Sequence, residues 1–163
     1  WPKALAELAL SLGADVPCCL FRAQSVCRGL GETLSYCKSL PNCYLVVAKH
    51  RRESVSTKEA YQKLDSVPFV PTSSDKIVKA LDDGSLDGVI ASMFNRFEEN
   101  VLPTKPIATS VKACLLEKGA RAAMMSGSGP SVFGIFDKEA DAIAARDAIK
   151  ALGCFAFVTH PWR

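Results

Sequence analysis

Long apolar runs are missing from this chain. The longest are short, such as Tyr44 to Ala48, and fall far below the ~20 apolar residues a membrane-spanning helix needs, so no membrane partner is expected. Charge of one sign is also scarce. Twenty basic and 17 acidic side chains leave a net charge of +3, scattered except at Lys49, Arg51 and Arg52, which argues against nucleic acid as a partner. Histidine occurs twice, at His50 and His160, and neither lies near a cysteine pair. No two cysteines have C-x-x-C spacing, so zinc-ribbon and thioredoxin-type motifs are absent and no metal site is expected. The seven cysteines (Cys18, Cys19, Cys27, Cys37, Cys43, Cys114 and Cys154) are an odd number and close no disulfide framework. They read as small buried hydrophobes in a reducing, cytoplasmic compartment. A charged, apolar and small-residue signal peptide is lacking at the start, and residue 1 is Trp, not Met. Trp1-Pro2-Lys3-Ala4 reads as the entry of a helix already under way, which gives the expectation of a fragment of a longer protein.

What is present suffices for a core. Of the 163 residues 48% are apolar and 23% charged, and one domain of this size buries roughly 68–70% of its unfolded surface, so a folded chain is expected. Leu5, Leu8, Ala9 and Leu12 at i, i+3, i+4, i+7 predict an amphipathic helix over 3–12, stopped at Gly13. Gly13 to Pro17 predicts a compact turn, followed by an apolar stretch from Cys18 to Phe21. A strand within 22–29, a tight turn at Gly29-Leu30-Gly31-Glu32 and a hairpin partner over Thr33 to Cys37 come next. Tyr44 to Ala48 predicts a buried strand. Ser56 and Glu59 make a capping-box pattern that opens a helix through Leu64. Residues 66–75 read as a loop and 75–92 as two short helices broken at Gly84. Phe94, Phe97 and Val101 predict a helix over 93–101, ended by Pro103 and Pro106. Ile107, Val111, Cys114 and Leu115 predict another, stopped at Gly119.

The last third alternates clearly. A strand over Arg121 to Met125 leads into the glycine loop Ser126-Gly127-Ser128-Gly129-Pro130 and a second strand, Ser131 to Phe136. A helix over Asp137 to Leu152 places Ala140, Ile143, Ala144, Ala148 and Leu152 on one face, and Cys154 to Thr159 is a final strand. From Tyr44 onward the order is β-α-β-β-α-β. That is an α+β, ferredoxin-like split βαβ arrangement, an antiparallel sheet with helices on one face.

The glycine loop is the most specific chemical feature. Two glycines and little side-chain bulk let backbone N–H groups approach an anion or a base. It is not a Walker A loop, because no Gly-Lys-Ser/Thr follows, and not a dinucleotide fingerprint, because Val132 stands where a third glycine would be. Neither Ser126 nor Ser128 has glycines at both ±2, so it is no nucleophile elbow. A plain hairpin turn is the alternative. Asp15 is the second candidate: Pro17 holds Val16 extended and stiffens its turn. Its carboxylate suits a positioned base, a metal ligand or a cap for the next segment. Asn95 and Glu98, three apart, suit internal capping or solvation. Phe94, Phe97, Phe133 and Phe136 read as core, both histidines as non-catalytic, and Glu32 as a turn-stabilising residue.

Taken together, four strings resemble the GHMP kinase superfamily, and within it the 4-diphosphocytidyl-2-C-methyl-D-erythritol kinases. They are Leu12-Gly13-Ala14-Asp15-Val16-Pro17 followed by Gly29-Leu30-Gly31-Glu32, then Ser56-Thr57 before a helix with Tyr61. Asn95-Arg96-Phe97-Glu98 and Met125 to Phe133 complete the set, in order along nearly the whole chain. Departures occur at Cys18 and Cys19, at Ala23-Gln24-Ser25 and at Ser131. The family's phosphate loop, Pro-x-x-x-Gly-Leu-Gly-x-Ser-Ser, and its catalytic lysine have no counterpart here. The resemblance implies that residues 1–35 are the tail end of an N-terminal lobe carrying the catalytic aspartate. Residues 36–163 would be the GHMP C-terminal domain, with the N-terminal ATP-binding part absent. It implies ATP-dependent phosphorylation of a hydroxyl on the cytidine diphosphate conjugate of methylerythritol, with magnesium shielding the triphosphate, in non-mevalonate isoprenoid biosynthesis. Asp15 matches the catalytic aspartate, and Gly127, Ser128 and Gly129 would close the site on substrate or nucleotide. Asn95 and Glu98 stay structural, at the lobe interface. The fragment alone would be inactive and would expose apolar surface open to self-association. The alternatives are another kinase of the superfamily, of homoserine, mevalonate or galactose type, and a non-catalytic ferredoxin-like ligand-binding module.

Overall fold

The computed structural model describes residues 3–21, 24–29, 31, 33–68 and 72–161. Helix α1 (Lys3–Leu12) is the expected one, and it packs on α2 (Val16–Phe21). Thus the apolar stretch after the Asp15 turn is helical. The hairpin follows as β1 (Ser25–Arg28) and β2 (Thr33–Tyr36), antiparallel with Ser25 opposite Tyr36. The expected strand over 22–29 is shorter than its bounds, and Glu32, with its expected turn role, lies outside the described residues. On α1, Ala9 is buried, whereas Leu8 and Leu12 are 59% and 73% exposed. The amphipathic pattern is real, but its leucine stripe faces away from the rest of the described chain.

Strand β3 (Tyr44–Lys49) is followed by α3 (Thr57–Asp65), α4 (Asp75–Asp82), α5 (Leu86–Ser92) and α6 (Glu98–Val101). A 3-10 turn at Leu102–Thr104 leads into α7 (Pro106–Glu117). Then come β4 (Ala122–Met125), β5 (Val132–Phe136), α8 (Glu139–Ala151) and β6 (Phe155–Thr159). The four strands from β3 on form one sheet in the order β4-β5-β3-β6, antiparallel at every step. In this register Ala48 lies opposite both Val132 and Ala156. Alternation puts Val46, Ala48, Val132, Phe136 and Ala156 on one face, where they form a single core with Ala108, Val111 and Leu115 of α7 and Ala142, Ala145 and Ile149 of α8. One cluster fed by both helices means that both cover the same sheet face, the split βαβ arrangement the sequence pattern predicts. Phe136, Leu115 and Ile149 are fully enclosed, each worth roughly 1.5–3 kcal/mol of burial.

A distant residue fixes how α7 begins. Pro106 opens the helix and Lys105 supplies no side-chain cap. Instead the Glu53 carboxylate, from the turn after β3, accepts from the N–H groups of Ile107 and Ala108, each at 2.9 Å. A carboxylate there satisfies two orphan donors and faces the positive end of the helix dipole.

The structure departs from expectation in further places, and Val16, expected extended before Pro17, instead opens α2. Residues 93–97 are not helical; the helix starts at Glu98. The Asn95 side chain accepts from the Phe97 N–H at 3.0 Å, a local bond that competes with helix formation. As a result Phe94 is 54% exposed rather than core, while Phe136 is fully enclosed. On α8 the buried face is Ala142, Ala145 and Ile149, and Ile143 and Leu152 are exposed. With alanine at so many positions of α8, two stripes have almost equal apolar character, and only the sheet decides between them. Finally, all seven thiols are free, but only Cys43 and Cys154 are buried, and Cys19 and Cys27 are exposed.

Candidate active site

The glycine loop joins β4 to β5. Its neck is closed by the Ser126 N–H donating to the Ser131 carbonyl at 2.8 Å, and its tip by the Gly129 N–H donating to the Ser126 carbonyl at 3.0 Å. Gly127 and Gly129 have φ of +56° and +82°, backbone that L side chains rarely adopt. Gly129 also lies flat on the Met125 side chain, and a Cβ there would collide with the Met125 sulfur. Gly127, in contrast, is exposed and has open space above it. Among the described residues the Gly127 and Ser128 N–H groups have no protein acceptor. A pair of adjacent amides without a protein acceptor is a donor set suited to an anionic group.

The segment Asn95-Arg96-Phe97-Glu98 holds this loop from behind. The Asn95 Nδ2 donates to the Met125 carbonyl at 2.7 Å and to the Gly127 carbonyl at 2.9 Å. The Glu98 Oε1 accepts from the Met125 N–H at 2.6 Å, and its Oε2 pairs with the Lys112 ammonium at 2.6 Å. Arg96 donates to the Leu64 and Val67 carbonyls, which ties the segment to the end of α3. Phe97 meets the Tyr61 ring edge-on, with centroids 5.0 Å apart. At the other end of α3, Ser56 caps the helix through the Glu59 N–H, and the Thr57 hydroxyl lies 3.1 Å from that of Ser128. Asn95 and Glu98 are therefore internal capping groups, as their types suggest, and what they cap is the loop itself. Thr57 stands in a string that carries the resemblance, but its hydroxyl has no site role there, and its place beside Ser128 comes from the fold. Its contact spans 71 positions, beyond the reach of a local pattern.

Asp15 is exposed, at the step from the α1–α2 turn into α2. Its turn is braced by backbone bonds: the Gly13 N–H donates to the Ala9 and Leu10 carbonyls, and the Val16 N–H to the Gly13 carbonyl. The hairpin braces it from outside, because Gly31, at φ +110°, lies so close to Ala14 that a Cβ would strike the Ala14 carbonyl oxygen. Burial, followed by a hydrogen bond from Cys18 and a smaller contribution from the Asp15 charge, pushes the Cys27 thiol up. At the base of the hairpin Ser25 also touches Cys18 and Cys27. No hydrogen bond or ion pair among the described residues joins Asp15 to the glycine loop.

Two recesses flank the loop's supports. One, of about 330 Å³, is lined by Ile90, Met93, Phe94, Lys112 and Met124 along with Asn95 and Glu98. The other, of about 230 Å³, lies between α3 and the 3-10 turn and carries Lys63, Lys105 and Glu59. Among the described residues no three His, Cys, Asp or Glu side chains converge on a metal site, and no helix is long and apolar enough to cross a membrane. His50 accepts from the Arg52 N–H and serves its own turn.

Comparison with known proteins places this architecture. A family described as "GHMP kinases C terminal" matches residues 77–153. The 4-diphosphocytidyl-2-C-methyl-D-erythritol kinase of Macrococcus caseolyticus is 37% identical over 153 residues, 93% of this chain and 53% of the relative. The enzyme of the same name from Lachnospira eligens is 38% identical over 152 residues, 93% of this chain and 52% of the relative. The chain thus spans about half the length of the curated relatives it matches. A crystal structure of 4-(cytidine 5'-diphospho)-2C-methyl-D-erythritol kinase superposes with a TM-score of 0.75 at 30% identity, over 98% of this chain and 57% of that one. Homoserine kinase from Cytophaga hutchinsonii, at 21% identity, superposes with a TM-score of 0.68 over 93% of this chain and 55% of its own, and shares the fold. These likenesses lead to one conclusion: over residues 77–153 the chain carries a GHMP kinase C-terminal domain.

Proposed function

We propose that this chain serves as the C-terminal half of an ATP-dependent kinase that phosphorylates a hydroxyl of 4-diphosphocytidyl-2-C-methyl-D-erythritol, in the cytoplasm, within non-mevalonate isoprenoid biosynthesis. The observation that carries the reading is the extent of the likeness. Relatives and a solved structure of that name match 93–98% of the chain at 30–38% identity. The homoserine kinase likeness, at 21% identity, speaks for the scaffold alone.

In this reading residues 1–35 close an N-terminal lobe and residues 36–163 form the C-terminal domain. Asp15 is the catalytic carboxylate, accepting the proton of the attacking hydroxyl. Its braced turn suits that task, since phosphoryl transfer depends mainly on positioning and charge stabilisation. The Gly127 and Ser128 amides, with Gly129 holding the turn, meet phosphate or substrate oxygens. Magnesium enters with the triphosphate, whose oxygens are its natural ligands. Among the described residues no carboxylates cluster to hold the ion by themselves.

The test is ATP-dependent phosphorylation of the cytidine diphosphate conjugate by the complete kinase polypeptide, with homoserine and mevalonate as competing acceptors. Asp15→Asn is expected to lower kcat by roughly 10²–10⁴-fold, the usual range for a positioned base, with the fold intact by circular dichroism. Turnover near wild type in that variant would overturn the role of Asp15, and preference for another acceptor would overturn the substrate. The 163-residue chain alone is expected to show no turnover, and measurable phosphorylation by it would refute the half-site reading.

A further inference from the structure

We propose that Asn95 and Glu98, with Lys112 behind Glu98, are positioning residues for the phosphoryl-transfer site, setting the path of the glycine loop. The proposal rests on the reading that the loop lines that site.

The argument starts from the sheet. Strand β4 is an edge strand, since the order is β4-β5-β3-β6. An edge strand presents N–H and C=O groups that no neighbouring strand satisfies. At Met125, the last residue of β4, both groups are taken by side chains: the N–H by Glu98 at 2.6 Å and the carbonyl by Asn95 at 2.7 Å. Asn95 and Glu98 therefore do at this one position what another strand would do, and they do it where the chain leaves the sheet for the loop. Asn95 then reaches past the end of the strand to the Gly127 carbonyl at 2.9 Å. Holding that carbonyl inward fixes the peptide plane that carries the Ser128 N–H, because carbonyl and N–H of one peptide point in opposite directions.

The clamp is also more specific than a cap needs to be. A neutral acceptor would satisfy the Met125 N–H. Here the acceptor is a carboxylate whose second oxygen is held by Lys112 at 2.6 Å, with the two side chains only 19% and 26% exposed. Charge-assisted bonds at this distance are short and directional. One ion pair from α7 thus fixes the carboxylate, the carboxylate fixes the strand end, and Asn95 fixes the loop. Phe97 seats the same segment against Ala60, Val101 and Met125, and Arg96 ties it to α3, so the clamp cannot drift as a unit.

The experiment uses Asn95→Asp, Glu98→Ala and Glu98→Gln in the complete kinase polypeptide. Asn95→Asp is isosteric: it keeps the acceptor for the Phe97 N–H and turns two donor bonds into contacts between oxygens. Glu98→Gln keeps an acceptor for the Met125 N–H. Each variant is read by amide hydrogen exchange of the peptide spanning residues 125–131, by thermal melting, and by kcat and KM separately. The expected result is at least tenfold faster exchange in that peptide for Asn95→Asp and Glu98→Ala. A fall in kcat on the order of 100-fold, the cost of an ångström-scale misplacement, is expected to accompany it. KM for the acceptor stays within about twofold, and Glu98→Gln, which keeps the Met125 acceptor but loses the Lys112 ion pair, recovers part of kcat relative to Glu98→Ala. Unchanged loop exchange in the folded Asn95→Asp variant would overturn the proposal. So would equal losses in Glu98→Gln and Glu98→Ala. A loosened loop with full kcat would also overturn it, and that outcome alone counts against the loop lining the site as well.

Discussion

Replacing Gly31 by alanine tests the bracing of Asp15 without touching Asp15. Two costs arise, and the structure separates them. The first is conformational: Gly31 has φ +110°, and left-handed backbone costs an L residue roughly 1–2 kcal/mol. The second is steric. The new methyl would strike the Ala14 carbonyl oxygen, which is backbone and cannot swing aside like a side-chain tip. Forcing such a shift adds about 1–3 kcal/mol, the usual scale of overpacking. The sum is about 2–5 kcal/mol. Gly119→Ala supplies the control, because Gly119 has φ +91° with nothing within 4 Å of the added methyl. It carries the first cost alone, about 1–2 kcal/mol.

The assay is urea denaturation of both variants, followed by hydrogen exchange of residues 13–19. Gly31→Ala is expected to lose more stability than Gly119→Ala, by the steric cost alone. Its exchange in the Asp15 turn and the hairpin is expected to rise while the β3–β5 ladder stays protected. In the complete kinase, kcat is expected to fall with Asp15 itself unchanged. Equal losses in the two variants, with an unaltered Asp15 turn, would refute the claim that the hairpin braces this carboxylate.

Other expectations follow from burial and charge. Leu115, fully enclosed between helices and sheet, should lose roughly 2–5 kcal/mol as Leu115→Ala. Differential scanning calorimetry should then show a melting temperature lower by about 2–4 °C per kcal/mol, and a change below 2 °C would contradict the placement of the core. Maleimide labelling followed by peptide mapping is expected to find Cys19 and Cys27 modified ahead of Cys43 and Cys154, which are buried. Burial pushes the Cys43 and Cys154 thiols up, so the folded chain keeps these protons after the unfolded chain has lost its own. Their contribution to stability is whole below the ordinary thiol value of about 8.5 and is lost above it. Thermal melts should therefore fall as the pH rises through that value, and Cys43→Ala with Cys154→Ala should flatten the slope. The leucine stripe of α1 should drive self-association of the isolated chain, so Leu8→Ser with Leu12→Ser should shift its sedimentation to monomer. No shift would move the interface elsewhere.

What the sequence disclosed depended on the range of the interaction that decides each feature. The capping box at Ser56 and Glu59, the β-branched run of β3 and the glycine stops after α1 and α7 are settled within a few residues, and each was legible. The α8 face was not, because alanine at positions 140, 142, 144, 145 and 148 gives no preference for a face until the sheet supplies one. Residues 93–101 show the same limit from the other side. Phe94, Phe97 and Val101 have helical spacing, yet the Asn95 side chain captures the Phe97 N–H and delays the helix to Glu98. Its amide group is at the same time committed to Met125 and Gly127, 30 and 32 positions away. A motif can therefore be visible as spelling while its task stays hidden, because the task lies in a partner that only the fold brings near. Glu53 at the start of α7 and Thr57 beside Ser128 are further instances, joined across 54 and 71 positions. The misread helix and the clamp on the glycine loop have one cause: the local bonds that spoil regular structure at Asn95 are those that aim its side chain at the loop. Where a polar residue breaks an otherwise regular apolar pattern next to a candidate site, the break itself points to a positioning role.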